Sequence, residues 1–221
     1  MKQKFELLQF INQLVACEPR LGKNLIKTEK LITKTLKSYG FKYLRQRLVK
    51  VKASNILVGN LVNSKVILLT HFDAIGPGAL DNASGVAVSL AVLINNPDFV
   101  KDNLAVFSGC EETSYEKPVY WGYGYCQFER KYGQLLKNCR AIYVVDCVGN
   151  GRLHFFQGDY YFHEAVPLKK LNLVKDKLFV LTGSVKKLLA ICHTKKDTVA
   201  GLKPKYLEAS YKELVSVCCR I

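Results

Sequence analysis

Three short runs of this 221-residue chain are apolar at nearly every position: residues 65–70 (KVILLT), 103–108 (NLAVFS) and 141–145 (AIYVV). A strand with one wet face alternates polar and apolar residues. A run without that alternation is a strand buried on both faces, and a parallel sheet covered by helices is the usual place for one. Helical patterns separate the runs. Residues 84–95 begin beside Gly85 and end before Pro97, and residues 128–137 carry a second helix. Strands alternating with helices predict an α/β fold, a three-layer α/β/α sandwich around a mostly parallel mixed β-sheet.

The remaining segments fit that frame. Residues 41–51 and 55–62 read as a hairpin around 52–54. Residues 153–157 and 177–182 read as strands, 184–189 as a short helix or turn, and 189–193 as a short strand. Residues 203–217 close the chain as a helix with Leu207, Tyr211, Leu214 and Val215 roughly on one face. Neither an internal repeat nor a linker is visible, so residues 1–221 read as one domain without a lid, with the helices of residues 1–40 packed on it.

The formal net charge is +15. It is unevenly spread: residues 1–52 hold 13 Lys and Arg against 3 Asp and Glu, and the rest hold 20 against 15. The excess falls on two amphipathic N-terminal helices. Phe5, Leu8, Ile11, Leu14 and Val15 line one face of the first. Leu25, Ile32, Leu36 and Tyr39 line the second, with Lys23, Lys27, Lys30, Lys34 and Lys37 around the rest. Lysines on a solvated helix face are ordinary. With neither an Arg-rich run nor an RNA-binding aromatic pair, a nucleic-acid partner is disfavoured. Glu6, Gln9, Asn12 and Gln13 interrupt any apolar leader, and no stretch reaches 18 apolar residues. These features predict a cytoplasmic protein with no membrane span. The eight cysteines, at 17, 110, 126, 139, 147, 192, 218 and 219, form no C-x-x-C pair and read as reduced thiols.

In an open α/β sheet, chemistry gathers beyond the carboxyl ends of the strands. The first run leads into His71, Phe72 and Asp73, the second into Glu111 and Glu112, the third into Asp146, and the run before residue 193 into His193. Asp81 sits in the loop GPGALDNASG that opens the next helix. One histidine or one Glu-Glu pair at such a position is commonplace. Their coincidence on separate elements is not, because so many carboxylates on one rim repel each other unless a cation relieves them. A nitrogen and oxygen donor set without cysteine favours zinc, with cobalt or manganese as other occupants.

The order H-x-D, D-N-A-S-G, E-E, D and H resembles the co-catalytic dizinc aminopeptidases, a family that also contains the glutaminyl cyclases. The motifs read His71-Phe72-Asp73, Asp81-Asn82-Ala83-Ser84-Gly85, Glu111-Glu112, Asp146 and His193. The resemblance implies two divalent metal ions, zinc foremost, with Asp81 bridging them. His71 and Asp146 would complete one site, and Glu112 and His193 the other. Glu111 would be the general base, and Asp73 would take the far nitrogen of His71 and fix its tautomer. A cis peptide after Asp81 is also implied. The activity implied is amide hydrolysis by an aminopeptidase acting on a peptide substrate. The alternatives are a glutaminyl-cyclase-like acyltransferase with one zinc, or a non-catalytic binding relative.

The spacings refine this reading. Ten residues from His71 to Asp81 leave no room for an inserted domain, and the 47 from Asp146 to His193 leave none for a dimerisation lid. The aromatic segment 114–126, with Tyr115, Tyr120, Trp121, Tyr123 and Tyr125, could wall a specificity pocket or pack beneath its loop. Residues 157–162 are a second candidate wall. Cys110 and Cys192 read as buried neighbours of the site rather than nucleophiles, and His154 and His163 as structural.

Overall fold

The computed structural model describes residues 5–21, 23–49, 51–112, 121–157, 166 and 168–219. Seven strands form its sheet: β1 (Leu44–Arg47), β2 (Ser54–Gly59), β3 (Val66–His71), β4 (Leu104–Ser108), β5 (Ala141–Val145), β6 (His154–Gln157) and β7 (Leu178–Thr182). Their order is β1-β2-β4-β3-β5-β7-β6. The four central strands, β4, β3, β5 and β7, run parallel. The outer strands β1, β2 and β6 pair antiparallel.

Every residue of β3, β4 and β5 is buried, as their unbroken apolar runs require. The pleat sends alternate side chains to opposite faces. Val66, Leu68, Ala105, Phe107, Tyr143 and Val145 join one core, with α1 (Leu7–Val15), α2 (Lys23–Ser38), α3 (Gly85–Asn95) and the C-terminal helix Pro204–Cys219. Ile67, Leu69, Val106, Ile142 and Val144 join the other, against Tyr125, Phe128, Leu135 and Leu136 of the helix Tyr123–Asn138. Two helical layers thus enclose one sheet. A short helix, α4 (Phe99–Asp102), precedes β4. The helices Tyr123–Asn138, Val185–Ile191 and Pro204–Cys219 are α5, α6 and α7.

Two expectations change. Residues 189–193 are not a strand: Val185–Ile191 is helical, with Leu189 on its exposed side and Leu188 and Ile191 packed against the core. Those two contacts lie three residues apart, a helical rather than a strand period. The lysines of α2 are also more ordered than a scatter. Lys27, Lys30, Lys34 and Lys37 are all exposed and form one stripe along the helix, opposite buried Leu25, Ile32 and Leu36. Among the described residues no helix is long and apolar enough to cross a membrane.

The core sets the stability. Leu68→Ala, at a fully buried position in the middle of the sheet, is expected to cost about 2–5 kcal/mol in a denaturant titration. Val62→Ala, at a position 89% exposed, should stay within about 0.5 kcal/mol.

Candidate metal centre

The parallel strands end side by side, so residues just beyond β3, β4 and β5 share one rim. His71 is the last residue of β3, and Asp146 follows β5 directly. Glu111 and Glu112 come three and four residues after Ser108 at the end of β4. Asp81 lies in a wide turn, Ala79–Ser84, that leads into α3. His193 reaches the same rim from the end of α6 rather than from a strand.

Three residues here adopt left-handed backbone without being glycine: Cys110 (φ 59°), Cys147 (φ 54°) and His193 (φ 59°). Each is a site residue or an immediate neighbour of one. That conformation is unfavourable for a side-chain-bearing residue and turns the chain sharply enough to bring the adjacent acids inward.

Asp81 is the centre of the arrangement. Its Oδ1 lies 3.3 Å from His71 Nε2, and its Oδ2 lies 3.3 Å from His193 Nε2. Each histidine meets a second carboxylate. His71 Nε2 is 3.4 Å from Asp146 Oδ1, and His193 Nε2 is 2.9 Å from Glu112 Oε2. The metal-ligand candidates His71, Asp81, Glu112, Asp146 and His193 are therefore brought together, and Glu111 joins them: donor atoms of His71, Glu111 and Glu112 lie within 4.8 Å of one another. The Asp81–Asn82 peptide is cis.

Asp73 does more than the sequence suggests. His71 Nδ1 donates to the Asp73 backbone carbonyl at 3.2 Å, and the Asp73 carboxylate oxygen lies further off at 3.5 Å. The carbonyl fixes the proton on Nδ1 and leaves Nε2 for Asp81 and Asp146. The carboxylate itself accepts the backbone N–H groups of Glu111 (2.9 Å) and Glu112 (3.0 Å), one on each oxygen.

Asp197 and Arg20 escaped the sequence reading, and Asn82 entered it only as a motif position without a role. Asn82 donates to Thr70 Oγ1 and to the Val145 carbonyl, and accepts from the N–H groups of Gly85 and Cys147, so it ties β3, β5 and α3 together. Gly85 has to be glycine, because a Cβ there would meet Asn82 Oδ1 at 2.3 Å. Asp197 accepts the N–H groups of Leu80 (2.6 Å) and Asp81 (3.0 Å). Arg20, fully buried, donates to the carbonyls of Phe72, Pro77 and Gly78 and so braces the loop between His71 and Asp81 from beneath. Asp197 stands four residues beyond His193, a proximity that could have flagged it, whereas a single arginine among 33 basic residues carries no signal.

The electrostatics describe a site short of positive charge. Burial drives the Glu111 carboxyl well above the usual range, with Glu112 and Asp73 adding to it. Burial also raises Glu112. Burial works against charge on His71, yet Glu111 and Asp146 hold its pKa well above the ordinary value. Hydrogen bonds to Asp81, Cys192 and Glu112 lift His193 to about 12. Burial opposes the charge on Asp81, but the two histidines keep it ionised. Protons thus play the part a cation would play. A divalent cation fits the donor set, and Glu112 Oε1 is buried without a hydrogen-bond partner among the described residues. His71, Asp81 and Asp146 form one candidate group; Asp81, Cys192 and His193 form another.

Tyr115, Tyr120, His163 and residues 158–162 lie outside the described residues. Tyr123 and Tyr125 are buried and pack into the two cores rather than lining a cleft. His154 is exposed on the edge strand β6, away from the site's ion pairs. Cys110 is buried as expected, but Cys192 is half-exposed at the end of a helix.

Residues 55–171 match the sequence profile described as Peptidase family M28. No curated protein is a match. Among solved structures, a leucine aminopeptidase precursor from Bacteroides thetaiotaomicron is similar with a TM-score of 0.74 at 16% identity, covering 99% of this chain and 98% of its own. The glutaminyl cyclase of the same organism, bound to N-acetylhistamine, has a TM-score of 0.74 at 16% identity and covers 99% of both chains. A Zn-dependent exopeptidase from Parabacteroides distasonis reaches 0.76 at 16% identity, covering 99% of both.

Two outcomes follow from this geometry. Arg20→Met orphans three loop carbonyls and is expected to cost at least about 2 kcal/mol in chemical denaturation. Metal entering between the histidines displaces their protons. Calorimetry in buffers of different ionisation heat should therefore show proton release, with affinity weakening as the pH falls.

Proposed function

Because this chain belongs to Peptidase family M28, we propose that it is a metal-dependent exopeptidase, an aminopeptidase that removes residues from the amino terminus of peptides. The observation that carries this reading is the division of donors about Asp81, whose two oxygens face two different histidines, each with a further carboxylate of its own. His71 and Asp146 would hold one divalent cation, zinc foremost, and Glu112 and His193 the other, with Asp81 shared between them. When bound, such a pair supplies Lewis acidity: it polarises the scissile carbonyl and acidifies a water.

The chain's own residues do the rest. Glu111, raised by burial, takes a proton from the attacking water and returns it to the leaving amine nitrogen. No covalent bond to the enzyme forms. Asp73 keeps Glu111 and Glu112 in register through their backbone N–H groups, and the Asp73 carbonyl holds the ring of His71. Asn82, Asp197 and Arg20 fix the loop that presents Asp81, so the carboxylate does not have to be ordered at each turnover. Residues 1–221 act as one catalytic unit, with the N-terminal helices on its outer surface.

A glutaminyl-cyclase-like acyl transfer with one zinc is the alternative. It is kept as the second reading because the cyclase and the aminopeptidase precursor resemble this chain equally, each with a TM-score of 0.74.

The test measures bound metal together with turnover of aminoacyl anilides and of peptides with amino-terminal glutamine. About two equivalents of metal and anilide hydrolysis are expected. In Glu111→Gln the metal should remain while kcat falls by about 10²–10⁴-fold. Cyclisation of the glutaminyl peptide without anilide hydrolysis would move the assignment to the second reading. Metal-free protein inactive on both substrates would refute both.

A further inference from the structure

One side chain at the centre has no part in the mechanism above. Cys192 lies directly before His193, and its thiol donates to Asp81 Oδ2 at 2.8 Å. His193 Nε2 addresses the same oxygen at 3.3 Å. Neighbouring residues on an extended chain point to opposite sides. Here Cys192 caps α6, its N–H bonded to the Leu188 carbonyl at 2.8 Å, and His193 turns back at φ 59°. The bend presents both donors to one carboxylate.

The surroundings point to a ligand as well. Donor atoms of Asp81, Cys192 and His193 lie within 4.8 Å of one another. On the far side of His193 stands Glu112, its side chain only 5% exposed. One of its oxygens meets His193 Nε2 at 2.9 Å, and the other is buried with no hydrogen-bond partner among the described residues. A buried carboxylate with an idle oxygen is costly unless something cationic satisfies it.

We propose that Cys192 is a fourth protein ligand to the metal held by Asp81, Glu112 and His193. The inference rests on the metal-site reading given above. On binding, a sulfur–metal bond forms, and the thiol proton now shared with Asp81 leaves to solvent. No atom changes oxidation state. Two carboxylates, one imidazole and one thiolate complete a four-donor set of the kind zinc accepts, and the sulfur biases that position towards zinc over manganese or magnesium. The two metal positions then differ in kind: His71, Asp81 and Asp146 offer only nitrogen and oxygen, whereas the second position adds sulfur.

Cobalt substitution reads this directly, because a thiolate ligand gives a sulfur-to-cobalt charge-transfer band in the near ultraviolet. Full-length protein loaded with cobalt is expected to show the band, and Cys192→Ser to lose it while still taking up cobalt. In parallel, zinc should protect Cys192 from iodoacetamide, read by mass spectrometry of its peptide, relative to metal-stripped protein. Cys192→Ala serves as a second variant, and far-ultraviolet circular dichroism verifies that both fold. Cobalt uptake with no such band, or with a band that survives in both variants, overturns the thiol ligand and leaves the proposed function standing. Equal alkylation with and without zinc does the same. Wild-type protein that takes up no cobalt overturns the metal-site reading and this inference together.

Discussion

Asp73 is the point on which the rim depends. Its carboxylate receives the backbone N–H groups of Glu111 and Glu112, and its carbonyl receives Nδ1 of His71. One residue beyond β3 therefore sets the direction of a histidine and of two acids that come from β4. Asp73 is fully buried, and the two N–H groups give each of its carboxylate oxygens a hydrogen-bond donor. The rest of the centre is arranged around this anchor: Asp81 enters from the following loop, Asp146 from the neighbouring strand, and His193 from the end of α6.

The loop carrying Asp81 is held by a different set of contacts. Asp197 takes two of its N–H groups, Asn82 ties it to both flanking strands, and Arg20 takes three carbonyls on its approach. Every one of these is a polar group satisfied in the interior, where a missing partner is costly. These hydrogen bonds hold the backbone that presents Asp81. The carboxylates of the candidate centre, by contrast, are held close together and want for cations.

Much of this was legible in the residues alone. The unalternating runs of β3, β4 and β5 predicted a covered parallel sheet, and the topological rule for strand ends singled out His71, Glu111, Glu112 and Asp146 before any coordinate. What stayed hidden was long-range. Arg20 braces residues 52 to 58 positions away, and nothing in its neighbours signals that. His193 was expected at a strand end. A five-residue apolar stretch does not distinguish a strand from a helical turn, and the contacts of Leu188 and Ile191 decide it. Asp73 was expected to take the far nitrogen of His71; its backbone carbonyl does so and frees the carboxylate for two other donors. The net positive charge, which first suggests a polyanion, is concentrated in residues 1–52, but less on the helices than expected: α1 holds no Lys or Arg, α2 holds five Lys against Glu29, and five more Lys and Arg fall in residues 42–52.

The brace from Arg20 bears on which stretch of chain builds the candidate centre. The stretch matching the family spans residues 55–171, a natural choice for anyone trimming the gene. A fragment cut there would contain His71, Asp81, Glu111, Glu112 and Asp146, yet would leave behind the guanidinium beneath the loop and both His193 and Asp197 above it. The segment that matches the family and the segment that builds the candidate centre are different lengths of chain. Surveys that delimit such proteins by the recognisable part alone would count intact motifs in pieces unable to assemble a centre.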